Sequence, residues 1–374
     1  MHFEGLQLNQ FRNYSELQLA FSPDINCIVG PNGSGKTNIL DALHYLAFTR
    51  GFRSNQDQHA VQEGTDFFFN QGTVATDGRK TDIACNFVKG KGKKVLVNRK
   101  ALSKLSEHIG RIPLVAVLPH DTELIGGASA MRRGFLDMLI SQYDGAFLRH
   151  LIQYNKILAQ RNALLKQFNE HNNYDPEQLE IWDLQLIPHG MAVYQGRQDF
   201  LVEFRPIFED FFVEIVAERG GEQPAIQYRS SIAENTEAGW QAAIAEKAER
   251  DRYNLYTSVG IHRDDLRFSI NGQSVRNFGS QGQQKTFVIA LKLAQYTLLE
   301  QHTQRPPVLL LDDIFDKLDE HRLNRIVHLM NERIGGQIFI TDTSYERLAV
   351  AFDELGEREV RFFYVEDGIV NSES

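Results

Sequence analysis

The sequence predicts an α/β protein in which a mixed sheet surrounds a phosphate-binding loop and an antiparallel helical arm is inserted into the chain. Three observations carry this. Gly30-Pro31-Asn32-Gly33-Ser34-Gly35-Lys36-Thr37 fits G-x-x-x-x-G-K-[ST] between an apolar run, 25–29, and a helical pattern, 37–48. Between residues 145 and 193 apolar residues fall at alternating three and four spacings, in two stretches separated by a polar turn. A second apolar run, 307–311, ends in Asp312-Asp313, placing two carboxylates where open α/β sheets put their ligands.

Size and composition bound the reading. A chain of 374 residues buries a large core and suggests two or three lobes. It is 42% hydrophobic and 24% charged, as globular proteins are. No apolar run approaches the roughly 18 residues of a membrane span, and the N-terminus lacks a signal peptide's apolar stretch. A soluble cytoplasmic protein is therefore expected. Cys27 and Cys85 each lie in a predicted strand without metal-type spacing, and read as core thiols of a reducing compartment. The formal net charge of -9 disfavours tight, unconditional binding of nucleic acid. Any DNA contact should be local and conditional.

Taken in order, residues 3–8 and 16–21 predict two strands around a turn, 9–15. In that turn Arg12 and Asn13 read either as solvated residues or as helpers in holding a nucleotide. Within the loop, glycines let successive N–H groups face one anion, Lys36 reaches the β and γ phosphates, and Thr37 can ligate Mg²⁺. Two strands, 67–75 and 81–88, follow around Asp77-Gly78. Then comes the densest basic run: Lys89, Lys91, Lys93, Lys94, Arg99, Lys100 and Lys104. It reads either as a hairpin whose lysines blunt an exposed edge or as a patch tracking duplex DNA phosphates. A strand at 112–118 and a helix at 129–141 come next; in the helix, Arg132 and Arg133 are either surface charges or anion contacts.

The arm starts at Gly145. Phe147, Leu151, Tyr154, Leu158, Leu165 and Phe168 form one stripe, missing only at Arg161. After a polar turn, 169–177, Leu179, Trp182, Leu186 and Val193 resume it, with Pro188 expected to kink or restart the helix. The stripe should pack the two helices together. Gly260-Ile261-His262-Arg263-Asp264-Asp265 precedes a strand, 266–270, and a turn at Asn271-Gly272. A lone His262 is more often structural than catalytic. Ser280-Gln281-Gly282-Gln283-Gln284-Lys285 opens a helix reaching about residue 299; small residues and side-chain donors at a helix start suit an anion, though they also make ordinary caps. At the acidic strand, Asp312 would hold Mg²⁺ and Asp313 would position and deprotonate the attacking water. Asp316-Lys317-Leu318-Asp319, a helix at 320–332, a strand at 337–341 and a hairpin at 360–370 close the chain.

The order of phosphate loop, helical insertion, Ser-x-Gly-Gln helix, acidic strand and Leu-Asp loop resembles an ABC-type P-loop ATPase head of the chromosome-maintenance and DNA-repair kind. Leu6, Leu8 and Phe11-Arg12-Asn13-Tyr14, the block from Gly260 to Asp265, the run from Ser280 to Lys285 and Leu310-Leu311-Asp312-Asp313 are together similar to the RecF family of bacterial DNA replication and repair proteins. The likeness spans residues 6–343. It implies that Gly30 to Thr37 binds ATP, that Asp312 and Asp313 form the Walker B pair, and that Ser280, Gln281, Gly282, Gln283 and Lys285 form a signature motif. That motif would read the γ phosphate of a second protomer, making an ATP-dependent homodimer with Asp319 in the loop crossing it. Slow ATPase activity, binding of double-stranded and gapped DNA, and action with RecO and RecR to load RecA are implied as well. Spacing and composition supply none of those partners. The expected division is 1–121 with 255–374 as the head and 122–254 as the arm lobe.

Some positions depart from the wider ABC pattern. Asp313 replaces the usual glutamate, no histidine stands near Thr341 where a switch histidine is usual, and Leu118-Pro119-His120-Asp121 lacks the glutamine common at a lobe junction. A retracted base predicts slow turnover, suited to a switch. The alternative of a transporter's nucleotide-binding subunit predicts Ser-Gly-Gly-Gln, a histidine switch and no helical arm. A long-armed chromosome organiser needs hundreds of heptad residues, and a simple P-loop kinase or GTPase leaves the Ser280 motif unexplained.

Overall fold

The computed structural model describes residues 1–54, 56–216, 221–314, 320–353 and 358–373. The chain divides into two units. The first comprises Met1–Asp121, Glu214–Ala217 and Ile289–Ser374; the second comprises Thr122–Val213 and Glu218–Val288.

The first unit has two six-stranded sheets. One is antiparallel, in the order Tyr14–Ala20, His2–Phe11, Phe67–Thr76, Arg79–Val88, Gly92–Val97, Lys100–Ala101. The other runs Ile369–Glu373, Val360–Glu366, Ile25–Val29, Ile338–Asp342, Val308–Asp312, Leu114–Val117. It is parallel except for its edge strand Ile369–Glu373, which pairs antiparallel with Val360–Glu366. The three central parallel strands are buried at every residue, which is why they read as continuous apolar runs. Helix Lys36–Phe48 packs against both sheets, and 11 of its 13 residues are buried. The interior also absorbs polar groups: Asn70 Nδ2 donates to Ala42 O at 2.8 Å, and His108 Nε2 lies 2.6 Å from Leu46 O. Cys27 and Cys85 are buried free thiols.

Strand length departs from expectation at one place. The first strand continues to Phe11, which pairs with Tyr14, so the broad turn shrinks to Arg12-Asn13, with Arg12 at φ 57°. The basic run lies in hairpin structure, Gly92–Val97 pairing antiparallel with Arg79–Val88.

The second unit holds the arm. Helix Gly145–His171 spans about 40 Å at 1.5 Å per residue. Its partner is one continuous helix, Pro176–Val216, running through Pro188 and Pro206, so the helix does not restart at Pro188. Each proline forfeits one backbone hydrogen bond, and the face that packs on Gly145–His171 stays buried on both sides of Pro188, at Leu186 and Val193. The helices are antiparallel: Leu165 and Phe168 pack with Leu179, Arg161 meets Asp183, and Phe147 lies against Gly196. Arg161, the gap in the stripe, is fully buried, donating to Asp183 at 2.5 Å, to Asp251 at 3.0 Å and to Thr257 at 2.9 Å. A polar letter in the pattern is thus a core residue whose charge is compensated.

Residues 255–288 lie in the second unit, not with the head as the expected division had it. The reason is pairing and packing. Strand Asp265–Ile270 pairs with Pro224–Arg229, and the Phe287 ring packs on Phe208, Phe212 and Phe268. Aromatic contacts of this kind each add about 0.5–1.5 kcal/mol beyond area burial.

Candidate nucleotide site

Strand Ile25–Val29 delivers the loop. Gly30 has φ 154°, and a Cβ there would run into Val365 O; Gly35 has φ 119°, and its Cβ would lie 2.5 Å from Asn13 Nδ2. Only glycine fits either position. Asn13 also donates to Ser34 O at 3.1 Å and accepts from Asn38 Nδ2 at 2.7 Å, so it braces the loop from outside. Lys36 is 4% exposed, its ammonium donating to Gly30 O at 2.8 Å and Pro31 O at 3.0 Å. Ser34 Oγ is buried with no partner among the described residues, a spare donor within the loop.

The acidic strand meets this loop through hydroxyls. Thr37 Oγ1 and Thr341 Oγ1 each donate to Asp312 Oδ1 at 2.8 Å. The Asp313 N–H in turn donates to Thr341 Oγ1 at 3.0 Å. Three adjacent strands of the parallel sheet therefore converge at their C-terminal ends. Asp313 itself has φ 46°, in the left-handed region that aspartate tolerates better than larger side chains. It lines a cavity of about 170 Å³ with Asn32, Gly33, Gly35, Lys36, Thr37, Asn38 and Arg53. Two cations, exposed loop N–H groups and a hydroxyl–carboxylate pair of hard oxygens fit a magnesium-bound polyphosphate.

Arg12 does not line that cavity. Its guanidinium donates twice to Asp41 Oδ2, at 3.0 and 2.7 Å, and to His59 O at 2.7 Å, pinning the hairpin to the first helix. Sequence reasoning missed Arg53, Asn38 and Thr341. Arg53 Nη1 donates to Asn38 Oδ1 at 3.0 Å; its only sequence signal is a basic residue in the breaker-rich stretch after the phosphate-loop helix.

The Ser280 motif belongs to the second unit. Ser280 caps helix Gln281–Thr303: Gln283 N donates to Ser280 Oγ at 3.2 Å and Ser280 N to Gln283 Oε1 at 2.9 Å, a reciprocal capping box. Gln283 Nε2 also donates to Glu222 Oε1 at 2.8 Å. Gln281 is exposed, and Gly282 and Lys285 are half-buried. Asp319 lies outside the described residues.

The block Gly260 to Asp265 is a buried polar hub. Asp264 accepts from Tyr228 OH and from Ser230 Oγ, and burial raises its pKa. Arg197 donates to Ile261 O at 2.8 Å and grips Asp137 at 2.9 Å through both Nε and Nη2. Arg132 makes a forked pair with Asp265 at 2.6 and 3.1 Å, and Arg133 donates to Asp264 O at 2.7 Å. These two arginines are therefore internal braces, neither surface charges nor anion contacts. His262 Nε2 lies 2.9 Å from Thr257 O and Nδ1 2.8 Å from Tyr154 OH. A carbonyl only accepts, so Nε2 carries the proton and Nδ1 accepts from the phenol. Burial pushes His262 down to about 4. It is a structural histidine.

The basic run splits. Lys93 is no DNA contact: it donates to Thr49 O at 2.6 Å and Asp57 Oδ1 at 2.8 Å, with its side chain 13% exposed. Lys89 donates to Thr65 O at 2.6 Å yet stays exposed. Lys91, Lys94, Arg99, Lys100 and Lys104 are exposed.

Fold and site together define a P-loop nucleotide-binding head of the chromosome-maintenance type, and the RecF/RecN/SMC N terminal domain family matches residues 2–371. Within that class the chain belongs to the RecF family. It is 39% identical over 370 residues to the DNA replication and repair protein RecF of Cytophaga hutchinsonii, covering 99% of this chain and 96% of that one. To RecF of Flavobacterium johnsoniae it is 42% identical over 349 residues, covering 93% and 95%. A solved structure of the recombination mediator protein RecF-ATP in the RecFOR pathway superposes with TM-score 0.89 at 30% identity, over 100% of this chain and 98% of that one. The Smc head domain of Pyrococcus furiosus, at 16% identity and TM-score 0.57 over 100% of this chain and 96% of that one, shares the fold. Among the described residues no helix is long and apolar enough to cross a membrane.

Proposed function

We propose that this chain is an ATP-gated DNA-binding protein of recombinational repair and replication restart, working as a slow Mg²⁺-dependent ATPase switch. One observation carries the reading: Thr37 and Thr341 converge on Asp312, and Thr37 lines one cavity with Lys36, Arg53 and Asp313. Lys36 and Arg53 would neutralise phosphate oxygens, Thr37 and Asp312 would hold the metal, and Asp313 would orient and deprotonate water. Mg²⁺ would supply charge neutralisation on the phosphates. Completion would come from Ser280, Gln281, Gly282, Gln283 and Lys285 of a second copy, with Asp319 in the crossing loop, so that ATP closes a head-to-tail homodimer. Closure would create a surface for duplex DNA next to single-stranded gaps, with Lys91, Lys94, Arg99 and Lys100 as candidate phosphate contacts, and hydrolysis would reset it. RecO and RecR are the partners suggested by kinship with proteins of the RecFOR pathway, with loading of RecA as the outcome. Kinship with RecF proteins leaves the transporter reading unfavoured.

Light scattering with sizing, and binding of duplex, single-stranded and gapped DNA with and without ATP, test this. ATP should raise the mass to that of a dimer and confer duplex affinity that falls with salt. Lys36→Met or Ser280→Arg should abolish both. An ATP-independent monomer refutes the shared site.

A further inference from the structure

At the opposite edge of the parallel sheet from the nucleotide cavity lies a second concavity, within the first unit, of about 590 Å³. Two of its walls are the segments that enter parallel strands: Arg111-Ile112 precedes Leu114–Val117, and Arg305 precedes Val308–Asp312. The nucleotide cavity sits where strands of that sheet exit. The floor is the face of the antiparallel sheet that carries Val74 and Ile83, joined by Ile112, all under 4% exposed. Around it stand three guanidinium groups. Arg79 is exposed with no side-chain partner among the described residues. Arg111 is tethered through Nε to Glu107 O at 3.0 Å, which leaves its two terminal nitrogens without a partner among the described residues. Arg305, half exposed, has one carboxylate near it, Asp77 at 3.9 Å, itself 85% exposed. At that separation and exposure the pair is weak and screened.

Chemistry selects the occupant. Guanidinium forks match carboxylates bidentately, and an apolar floor rewards an apolar anchor. The concavity has no aromatic lining on which a nucleotide base could stack. Duplex DNA presents a convex, continuous row of phosphates, which would leave the apolar floor unfilled. The volume falls within the range of about 300–1,000 Å³ that holds a compact ligand or a short side-chain cluster. We propose that this concavity is a docking site for an acidic peptide segment of a partner protein, its carboxylates held by Arg79, Arg111 and Arg305 and one or two aliphatic or aromatic side chains seated against the half-buried Val97, above the buried layer of Val74, Ile83 and Ile112.

The test is fluorescence anisotropy with an array of labelled decapeptides that combine aspartates or glutamates with Leu, Ile or Phe, titrated with the full chain. Acidic–apolar peptides should bind. Affinity should fall at least tenfold when their acids become Asn and Gln, when their apolar anchors become Ala, or in Arg79→Gln/Arg305→Gln protein. ATP binding by that variant should match wild type, confirming that it is folded. The proposal is overturned if no peptide binds wild type, or if the double variant binds as tightly. It is also overturned if the double variant loses duplex DNA affinity while keeping peptide affinity, which would assign the arginines to nucleic acid.

Discussion

Replacing Thr341 by valine removes the one hydroxyl that ties the two carboxylate residues together while keeping the branched shape of the side chain. Asp312 loses a charge-assisted hydrogen bond of 2.8 Å, and the Asp313 N–H loses its acceptor at 3.0 Å. The first is worth about 1.5–3 kcal/mol, and stranding a donor costs about 1–3 kcal/mol when it is buried. Asp313 is half-buried, so water recovers part of the second amount. The expected destabilisation is therefore about 2–4 kcal/mol, readable as a lowered unfolding midpoint by calorimetry. The functional effect should be larger on turnover than on affinity, because Lys36 and the loop remain. Phosphate release at saturating ATP should drop by about tenfold or more, with ATP affinity changed by less than about threefold. Thr341→Ser retains the hydroxyl and should keep most of the rate. A valine variant with wild-type turnover and an unchanged midpoint would refute the claim that Thr341 organises the acidic pair.

Acid should destabilise the chain through His44 and His262, both pushed down to about 4 by burial. The unfolded chain takes up these protons below about 6.5 while the folded chain holds off until about 4, so stability is full above pH 6.5 and falls as pH drops towards 4. The limit is about 1.4 kcal/mol per pH unit for each histidine, and His262→Gln should flatten the midpoint-against-pH curve over that window. Lys93→Met should lower the unfolding midpoint, by removing the charge partner of Asp57 and the donor to Thr49 O, without weakening ATP-dependent DNA binding, whereas Lys91→Ala with Lys94→Ala should do the reverse. A Lys93 variant that loses DNA affinity at unchanged stability would contradict its assignment as an internal brace.

What could be read from the sequence depended on whether a residue's role is set locally. The phosphate loop follows a fixed spacing, and Ile25–Val29, Val308–Asp312 and Ile338–Asp342 are buried on both faces, so each declared itself as an apolar run. Arg53 was invisible because its place at the cavity depends on where the chain returns after helix Lys36–Phe48, and Asn38, one position past the phosphate-loop pattern, carries no signature of its own. Thr341 was noticed only for lacking an imidazole; its hydroxyl matters through strand neighbours far away in sequence. Arg161 broke the helical stripe by letter but not by position, since Asp183 and Asp251 compensate its charge. Arg132 and Arg133 looked like surface charge for the same reason: their partners lie more than 130 positions away. The helix does not restart at Pro188, because a helix can forgo one hydrogen bond when its packed face is continuous. Helix Tyr345–Asp353 went unpredicted.

The left-handed backbone of Asp313 links the residue proposed as base to the shape of the chain. At φ 46° a side chain beyond a short polar one is strained, by about 1–2 kcal/mol for residues that fit the left-handed region poorly. Lengthening the carboxylate by one methylene would thus trade reach against conformational strain. The turn that pairs Asp313 N–H with Thr341 would have to reopen before a glutamate could sit there comfortably. For the base proposed at Asp313, accelerating hydrolysis is a matter of remodelling a β-strand exit, and a single substitution there meets that barrier first.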